Sequence, residues 1–343
     1  MKTKIFYLFI ALLFCAGCTD DTVTNSEQPE KPKEENANEG KDDSEPITNT
    51  LPVKFELLRD SIWPTQSGKT YFVRSTYPYL LGRIQDIFIG EFVDANLGKN
   101  IRLDSIPLNY NYNPITCSNP AGPNFQVFKD IIPGIQSMNS INNHVFKKTS
   151  TNSLFYSSYD GFYTSRKNLY LAYAHTGLKI DSIIVGKRFW EKPMTKKFGF
   201  SICSEMRTES IDMDLNDTII NRKLDNSTLA PFQPAIIFSM YYGLLKILIT
   251  ESDYKNIAVC IKKTIANETL SNEETEVLNN SDIYTISFEN HILICKKGKE
   301  ALSDFTKIKQ ENITLLNCSL QDYKDLSPKD IEWQIDLREE TKE

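Results

Sequence analysis

The sequence predicts an α+β fold, in which a bent antiparallel core sheet is flanked by helical clusters. From Ala235 to Ile249 the chain carries one charge, Lys246, and is rich in Ile, Phe and Tyr, which suit a pleated surface. Apolar side chains alternate over 198–213 and again over 331–338, which is the two-residue period of half-buried strands. The segments between these strands carry apolar faces at helical spacing.

The apolar stretch around Gly243 allows three interpretations. A membrane-spanning helix needs about 20 apolar residues, and the stretch is shorter than that. A buried helix would hold Gly243 in its middle, where glycine is unfavourable. Two successive buried strands fit better, because glycine permits a sharp bend or a close backbone approach.

The first residues have the features of a secretory signal. Lys2 and Lys4 precede an apolar run that is too short to span a bilayer. Ala16 and Gly17 then precede Cys18, which predicts a lipoprotein signal peptide over 1–17 and acylation of Cys18. A signal that is cleaved without acylation is the alternative.

The segment after Cys18 contains almost no apolar residues up to residue 50, so it cannot bury enough surface to offset its ordering entropy. We therefore expect 18–52 to be a lipidated flexible tether and 53–343 to be the folded domain. The acidic residues that follow Cys18 resemble the surface-export signals of Bacteroidetes lipoproteins. This resemblance implies an outer-membrane lipoprotein exposed at the cell surface.

Charge and motif content exclude several classes of function. Two lysines lie in the signal, so the remaining chain has 37 basic and 45 acidic side chains, a net charge of −8, which argues against nucleic-acid binding. The sequence has no GxSxG or HExxH motif, and its three histidines lie far apart. We therefore expect no catalytic residues, no metal site and no cofactor, and hence no enzyme. The number of later cysteines is odd, no two of them have metal-site spacing, and their disulfide pairing is left open: Cys117, Cys203, Cys260, Cys295 and Cys318.

The remaining elements follow from local patterns. Apolar residues in 198–213 change parity near the end, which predicts a β-bulge or a strong bend. Asp160 is expected to cap a helix that ends at Gly177, and Asp253 to cap a second one. The other predictions are a turn over 60–64, a loop over 67–70 before a strand over 71–74, a helix over 125–139 interrupted at Pro133, strands over 283–288 and 292–295, and a short helix near 302–308.

Proline, a short strand, Tyr242-Gly243 and a second strand resemble the core signature of the thiol-activated (cholesterol-dependent) cytolysins, roughly P-x-Y-I-S-S-V-A-Y-G-R. Leu244 stands where that family has Arg. The order of strands and helical segments over most of 145–340 resembles the same core, and 333–340 resembles its closing sequence Y-T-T-S-F-L-R-D-N. The resemblance implies a MACPF/CDC-like core over 53–343, with Tyr242 and Gly243 as its motif residues.

The resemblance also implies two helical inserts, over 160–192 and 252–280, that refold into membrane-spanning hairpins. Each insert has partial two-residue alternation, as a barrel wall requires. The candidate membrane-inserting residues are Leu178, Ile180, Ile184, Ile257, Val259 and Ile261.

Two departures from the family limit this reading. The fourth core strand ends near Glu289-Asn290 rather than in a glycine pair. The resemblance does not extend to the C-terminal sterol-binding β-sandwich, so no sterol-binding residue is carried over. We expect an oligomerising pore component, as a homo- or hetero-oligomer with a membrane as its target. The alternative is a non-catalytic surface lipoprotein that binds a protein or glycan.

Overall fold

One strand of 19 residues, Pro234–Ser252, runs through the middle of the larger of two sheets. The computed structural model describes residues 50, 59–62, 67–75, 86–98, 103–107, 111–120, 125–146, 155–174, 192–214, 219, 229–289, 292–305 and 312–338. These residues all fall in one compact unit, 46–343, whereas residues 1–45, with Cys18, lie outside the described part.

The strands of the described residues are, in chain order, β1 (Arg59–Ile62), β2 (Ser67–Ser75), β3 (Phe92–Asp94), β4 (Asn96–Gly98), β5 (Ile115–Asn119), β6 (Gln126–Ile131), β7 (Phe155–Tyr163), β8 (Phe198–Met213), β9 (Pro234–Ser252), β10 (Asp282–Glu289), β11 (Ile292–Lys297), β12 (Thr314–Asp322), β13 (Pro328–Lys329) and β14 (Ile331–Arg338). The helices are α1 (Ile135–Phe146), α2 (Arg166–Ala174), α3 (Ile257–Ile265) and α4 (Asn272–Asn279), with a 3₁₀-helix over Lys299–Asp304.

Among the described strands, the smaller sheet has the order β1-β2-β14-β4, and only its β14–β4 pair is parallel. The larger sheet has ten described strands and a main path β11-β10-β9-β8-β5-β6, all antiparallel. β7 joins it through β8, while β12 and β3 join it through β9. The predicted α+β class with an antiparallel core sheet is confirmed.

The central strand β9 exchanges partners along its length. On one edge it pairs with β12 over Ala235–Gly243 and with β10 over Leu245–Glu251. On the other edge it pairs with β3 near Ile236 and with β8 from Ser239 onward. The prediction of two successive strands is therefore wrong, because β9 continues unbroken through Gly243 and its neighbours change instead.

Several sequence expectations are confirmed. β8 has the predicted bounds, and the register between β8 and β9 shifts between Arg207 and Glu209, where the parity of apolar residues changes. β14 is the predicted alternating strand, with Ile331, Trp333 and Ile335 buried.

Other expectations are wrong, and ladder hydrogen bonds explain most of them. Asp160 lies in β7 opposite Ile202, so the helix starts later, where the Ser165 hydroxyl accepts from the Asn168 amide. Residues 126–131 form an edge strand on β5 rather than the first half of a helix. The predicted turn over 60–64 and the predicted loop over 67–70 contain paired residues of β1 and β2. Asp253 does not cap α3, since its carboxylate accepts from the Lys197 amide instead.

The part of the large sheet in which β7, β8, β9 and β10 lie side by side is covered on both faces. On one face Cys203 and Ile249 belong to the main core together with Leu169 and Tyr173 of α2, and the buried Ser201 contacts Tyr173. On the other face Phe200, Ile202 and Leu248 pack in a separate core with α3, α4 and the 3₁₀-helix. Within the described ranges, no helix combines the length and apolar character needed to cross a bilayer.

Candidate functional site

The four strand ends that flank the two helical segments lie in one row across the sheet. Tyr163, at the end of β7, pairs with Gly199 near the start of β8. Gly199 pairs with Glu251 near the end of β9, and Glu251 pairs with Asp282 at the start of β10. The strand ends correct the bounds of the first insert from 160–192 to 164–197 and those of the second from 252–280 to 253–281. Both inserts therefore leave and rejoin the sheet at the same level.

The second insert folds as a helical pair on one face of the sheet. In α3, Ile257, Cys260 and Ile261 are buried at helical spacing, which explains why the segment forms a helix against the sheet. A capping box starts α4, in which Ser271 and Glu274 satisfy each other's backbone amides. The Lys263 ammonium donates to Glu274 and joins the two helices, which raises the pKa of Lys263 and lowers the pKa of Glu274.

The structure places three of the candidate membrane-inserting residues on α3. Ile257 and Ile261 are buried, whereas Val259 is 51% exposed. As a strand, the same segment would present all three side chains on one side, because they are two residues apart. The predicted helical form of this insert is confirmed, while its conversion stays a prediction. Leu178, Ile180 and Ile184 lie outside the described residues.

The described part of the first insert is held to the opposite face by buried hydroxyl groups. The Tyr173 hydroxyl of α2 lies 2.7 Å from Ser201 Oγ on β8, and Ser201 Oγ donates to the Leu248 carbonyl oxygen. Tyr163, the last residue of β7 before the insert, donates a hydrogen bond from its hydroxyl to the Thr250 carbonyl oxygen. Burial raises the pKa of both tyrosines well above the ordinary value, so both stay neutral donors.

Sequence reasoning missed an ion pair at the row of strand ends. Arg166, the first residue of α2, donates from Nε to Glu251 Oε1 at 2.6 Å and from Nη2 to Oε2 at 3.0 Å. The side chains are only 8% and 3% exposed. The Thr195 amide and hydroxyl each lie 2.7 Å from Glu251 Oε2, and the hydroxyl lies 3.2 Å from Asp282 Oδ2. We call Arg166, Thr195, Glu251 and Asp282 the junction cluster. The one available signal was a carboxylate that ends a long apolar strand, since a buried charge needs a partner.

The motif residues Tyr242 and Gly243 lie where the register of the sheet shifts. The Tyr242 hydroxyl donates to Asn142 Oδ1 of α1 at 2.8 Å, and burial raises the pKa of Tyr242. Gly243 pairs with Arg207, and a Cβ at this position would lie 1.9 Å from the Met206 carbonyl oxygen. Glycine is required here because the backbones of β8 and β9 approach too closely for a side chain.

The two outer edges of the four-strand unit β7-β8-β9-β10 differ in what pairs with them. The edge of β10 is covered by β11 over Tyr284–Glu289. On the far edge of β7, Thr50 bonds to Phe162 twice, through its amide to the carbonyl oxygen and through Oγ1 to the amide. Among the described strands, β7 pairs with β8 alone.

The cysteines and histidines offer no reactive centre in the described residues. Cys117, Cys203, Cys260 and Cys318 are buried and Cys295 is exposed, all as free thiols. His144 packs edge-to-face on Phe128, while His175 and His291 lie outside the described part. No group of three possible metal ligands converges in the described ranges.

Comparison with solved structures connects this arrangement to known proteins. A non-hemolytic pneumolysin from Streptococcus pneumoniae strain ST306 superposes with a TM-score of 0.60 at 13% identity, over 86% of this chain and 69% of that chain. For listeriolysin O the TM-score is 0.55 at 14% identity, over 79% of this chain and 62% of that chain. For the human-specific toxin intermedilysin it is 0.54 at 14% identity, over 82% and 67%.

The other two comparisons find no relatives. No family model matches the chain, and no curated protein matches it. These three structural neighbours are cholesterol-dependent cytolysins. The chain spans slightly under two thirds of listeriolysin O and slightly more of pneumolysin. At such low identity the likeness concerns the fold alone, and the chain has the cytolysin-like fold of these neighbours.

Proposed function

We propose that the protein is a pore-forming component that assembles on a membrane and converts both inserts into β-hairpins. The observation that carries the proposal is the row of strand ends at Tyr163, Gly199, Glu251 and Asp282. Because the inserts connect neighbouring antiparallel strands at one level, each can lengthen its two flanking strands without any change in their pairing. The result is a ribbon of four extended strands.

The inserts are long enough for this conversion. The first has 34 residues between β7 and β8, and the second has 29 between β9 and β10. A strand that crosses a bilayer needs about 9–11 residues, so a hairpin needs about 20 plus its turn. Both segments meet this requirement.

Assembly of several copies would supply the hydrogen-bond partners that the edge strands of one ribbon lack. In lipid, the edge N–H and C=O groups of a lone ribbon stay unpaired, whereas a closed barrel pairs all of them. Residue 50 alone bonds to the outer edge of β7 in the described part, while β11 covers β10. Pairing of β7 in one copy with β10 in the next requires β11 to leave.

We predict that α3 becomes a strand in the assembled form. A fluorescent probe that is sensitive to its environment, placed at one position at a time from 257 to 261, is expected to report lipid at 257, 259 and 261 and water at 258 and 260. Lys262 then faces the aqueous lumen, because an Arg or Lys facing lipid at the bilayer midplane costs about 2–4 kcal/mol. The measurement is probe emission with a lipid-borne quencher on membranes.

The same probe at Leu315 on β12 is the control, and its signal is expected to stay unchanged, since β12 borders no insert. Electron microscopy of the same sample checks for rings. Uniform water exposure of 257–261 in an assembled ring would contradict the conversion.

The anchor is a second part of the proposal. Cleavage before Cys18 and its acylation would hold the protein on the outer membrane, with the folded domain at the cell surface. Stable anchoring takes more than one acyl chain, which an acylated N-terminal cysteine supplies. Replacing Cys18 with alanine is expected to leave the precursor uncleaved or wrongly located, measured by fractionation and intact mass. A normally acylated, membrane-held Cys18→Ala variant would refute the assignment.

One observation favours a different function, that of a non-catalytic surface lipoprotein which binds a protein or glycan. Four large apolar side chains near β6 are 40–66% exposed: Phe125, Val127, Ile132 and Ile135. These four residues lie within eleven positions of the chain, and exposed apolar patches often mark contact surfaces. This alternative predicts no ring on any membrane tested, and it predicts that the inserts stay helical.

A further inference from the structure

We propose that the Glu251 carboxylate couples the two inserts, so that neither leaves the sheet without releasing the other. The purpose of such coupling rests on the proposed pore function, but the coupling itself is a property of the protein before it meets a membrane. It makes Glu251 a positioning residue for both hairpins.

The first insert is tied to Glu251 at both of its ends. Arg166 begins α2 just after β7 and binds the carboxylate through two nitrogens. Thr195 lies three residues before β8 and binds Oε2 through its amide and its hydroxyl. Both connections of the first insert to the sheet therefore end on one buried carboxylate.

The second insert is tied to the same point. Glu251 is the penultimate residue of β9, so the second insert begins two residues later. The Thr195 hydroxyl lies between Glu251 and Asp282, which starts β10. Asp253, the first residue of the second insert, contacts the last two residues of the first insert. Its carboxylate accepts a hydrogen bond from the Lys197 amide and forms an ion pair with the Lys196 ammonium. Ser281 Oγ and Ser252 Oγ, at the two ends of the second insert, lie 2.8 Å apart.

Because the Glu251 carboxylate is buried, its contacts couple the release of one insert to the release of the other. If α2 leaves, Glu251 loses its cation while it is still enclosed, and an unpaired buried charge is strongly unfavourable. The carboxylate reaches water only if the end of β9 opens, which frees the start of the second insert. If the second insert pulls the end of β9 away, the Glu251 carboxylate is withdrawn from Arg166 and Thr195, which hold the two ends of the first insert. Coupling between two sites is reciprocal, so either route releases both inserts.

Two native thiols report the two inserts separately. Cys203 on β8 is buried beside Tyr173 of the first insert. Cys260 is a fully buried residue of α3 in the second insert. Cys117 and Cys318 are buried in the other half of the sheet, on β5 and β12, and serve as internal controls. Cys295 is exposed and is replaced by serine in every sample.

The experiment measures maleimide labelling of each thiol over time by peptide mass spectrometry, in the soluble protein without membranes. Arg166→Met, a change in the first insert, is expected to speed labelling of both Cys203 and Cys260 by about a hundredfold or more, by similar factors. Thr195→Ala is the milder variant and is expected to speed both by a smaller common factor. Asp160→Asn removes an exposed ion pair between β7 and Lys262 of α3 and is expected to change neither.

Faster labelling of Cys203 alone in Arg166→Met, or of neither thiol, would overturn the coupling. Labelling of Cys117 and Cys318 at the same rate as Cys203 and Cys260 in both variants would also overturn it, since global unfolding rather than release of the inserts would then expose all four thiols. Because no membrane is present, these outcomes are independent of whether the protein forms pores.

Discussion

Replacing Arg166 with methionine is expected to lower the free energy of unfolding by about 3–5 kcal/mol, because it leaves the Glu251 carboxylate buried without a cation. Methionine keeps most of the side-chain volume, so the loss reports charge rather than packing. Denaturant titration followed by tryptophan fluorescence and circular dichroism measures the change. The effect is large because the pair is bidentate and both side chains are almost fully enclosed.

The double variant Arg166→Met/Glu251→Leu separates the charge from the fold. Removing both charges is expected to recover most of the lost stability, since apolar pairs of similar volume often replace buried ion pairs without loss. The matched control is Asp160→Asn, which breaks an ion pair with side chains 38% and 55% exposed and is expected to cost less than about 1 kcal/mol. A double variant no more stable than Arg166→Met would contradict this account.

Gly243→Ala is expected to lower the free energy of unfolding by about 1–3 kcal/mol, since the added methyl group must force apart two paired backbones. The atoms it meets are Met206 O and C and Arg207 Cα, which belong to the main chain of β8 and cannot rotate away. We expect the register shift between Arg207 and Glu209 to change as well, visible as faster amide exchange in β8 and β9.

Gly134→Ala is the matched control for this substitution. No atom lies within 4 Å of a Cβ at Gly134, where the chain enters α1. Alanine there is expected to be neutral or slightly stabilising, because it restricts the unfolded chain. Equal losses at the two glycines would mean that the close approach at Gly243 does not set the cost.

The sequence predicted those parts of the fold that local patterns determine. Apolar and polar residues alternate strictly in β14 and alternate with one change of parity in β8, and α3 has an apolar face at helical spacing. Periodicity was therefore enough to predict these three elements. Asp160 was misassigned because its capping preference is weaker than the ladder hydrogen bonds that β8 offers to β7. For Gly243 the sequence allowed either a sharp bend or a close backbone approach, and the structure has the close approach. The register shift that accommodates it lies in β8, more than 30 residues earlier in the chain.

The candidate site was harder to predict than the fold. The two-residue pattern predicted that Ile257, Val259 and Ile261 belong to a segment that can convert from helix to strand. The structure shows this segment as helix α3, and its conversion stays a prediction. The junction cluster was not predictable, because Arg166, Thr195 and Glu251 are common surface residue types until the sheet brings them together. Their roles depend on burial and register, and no local period encodes either property.

The smaller sheet affects how the protein can be made. β2 has β1 and β14 as its neighbours, and Arg74 of β2 bonds to Glu332 of β14 across a sequence separation of 258 residues. During synthesis β2 is therefore made about 258 residues before the strand that pairs with its second edge, and such distant pairings form slowly. At about 5–20 residues per second, that interval lasts from roughly ten seconds to nearly a minute. For this period β2 is open to pairing with other chains, so a holding chaperone or immediate passage through a translocation channel would protect it.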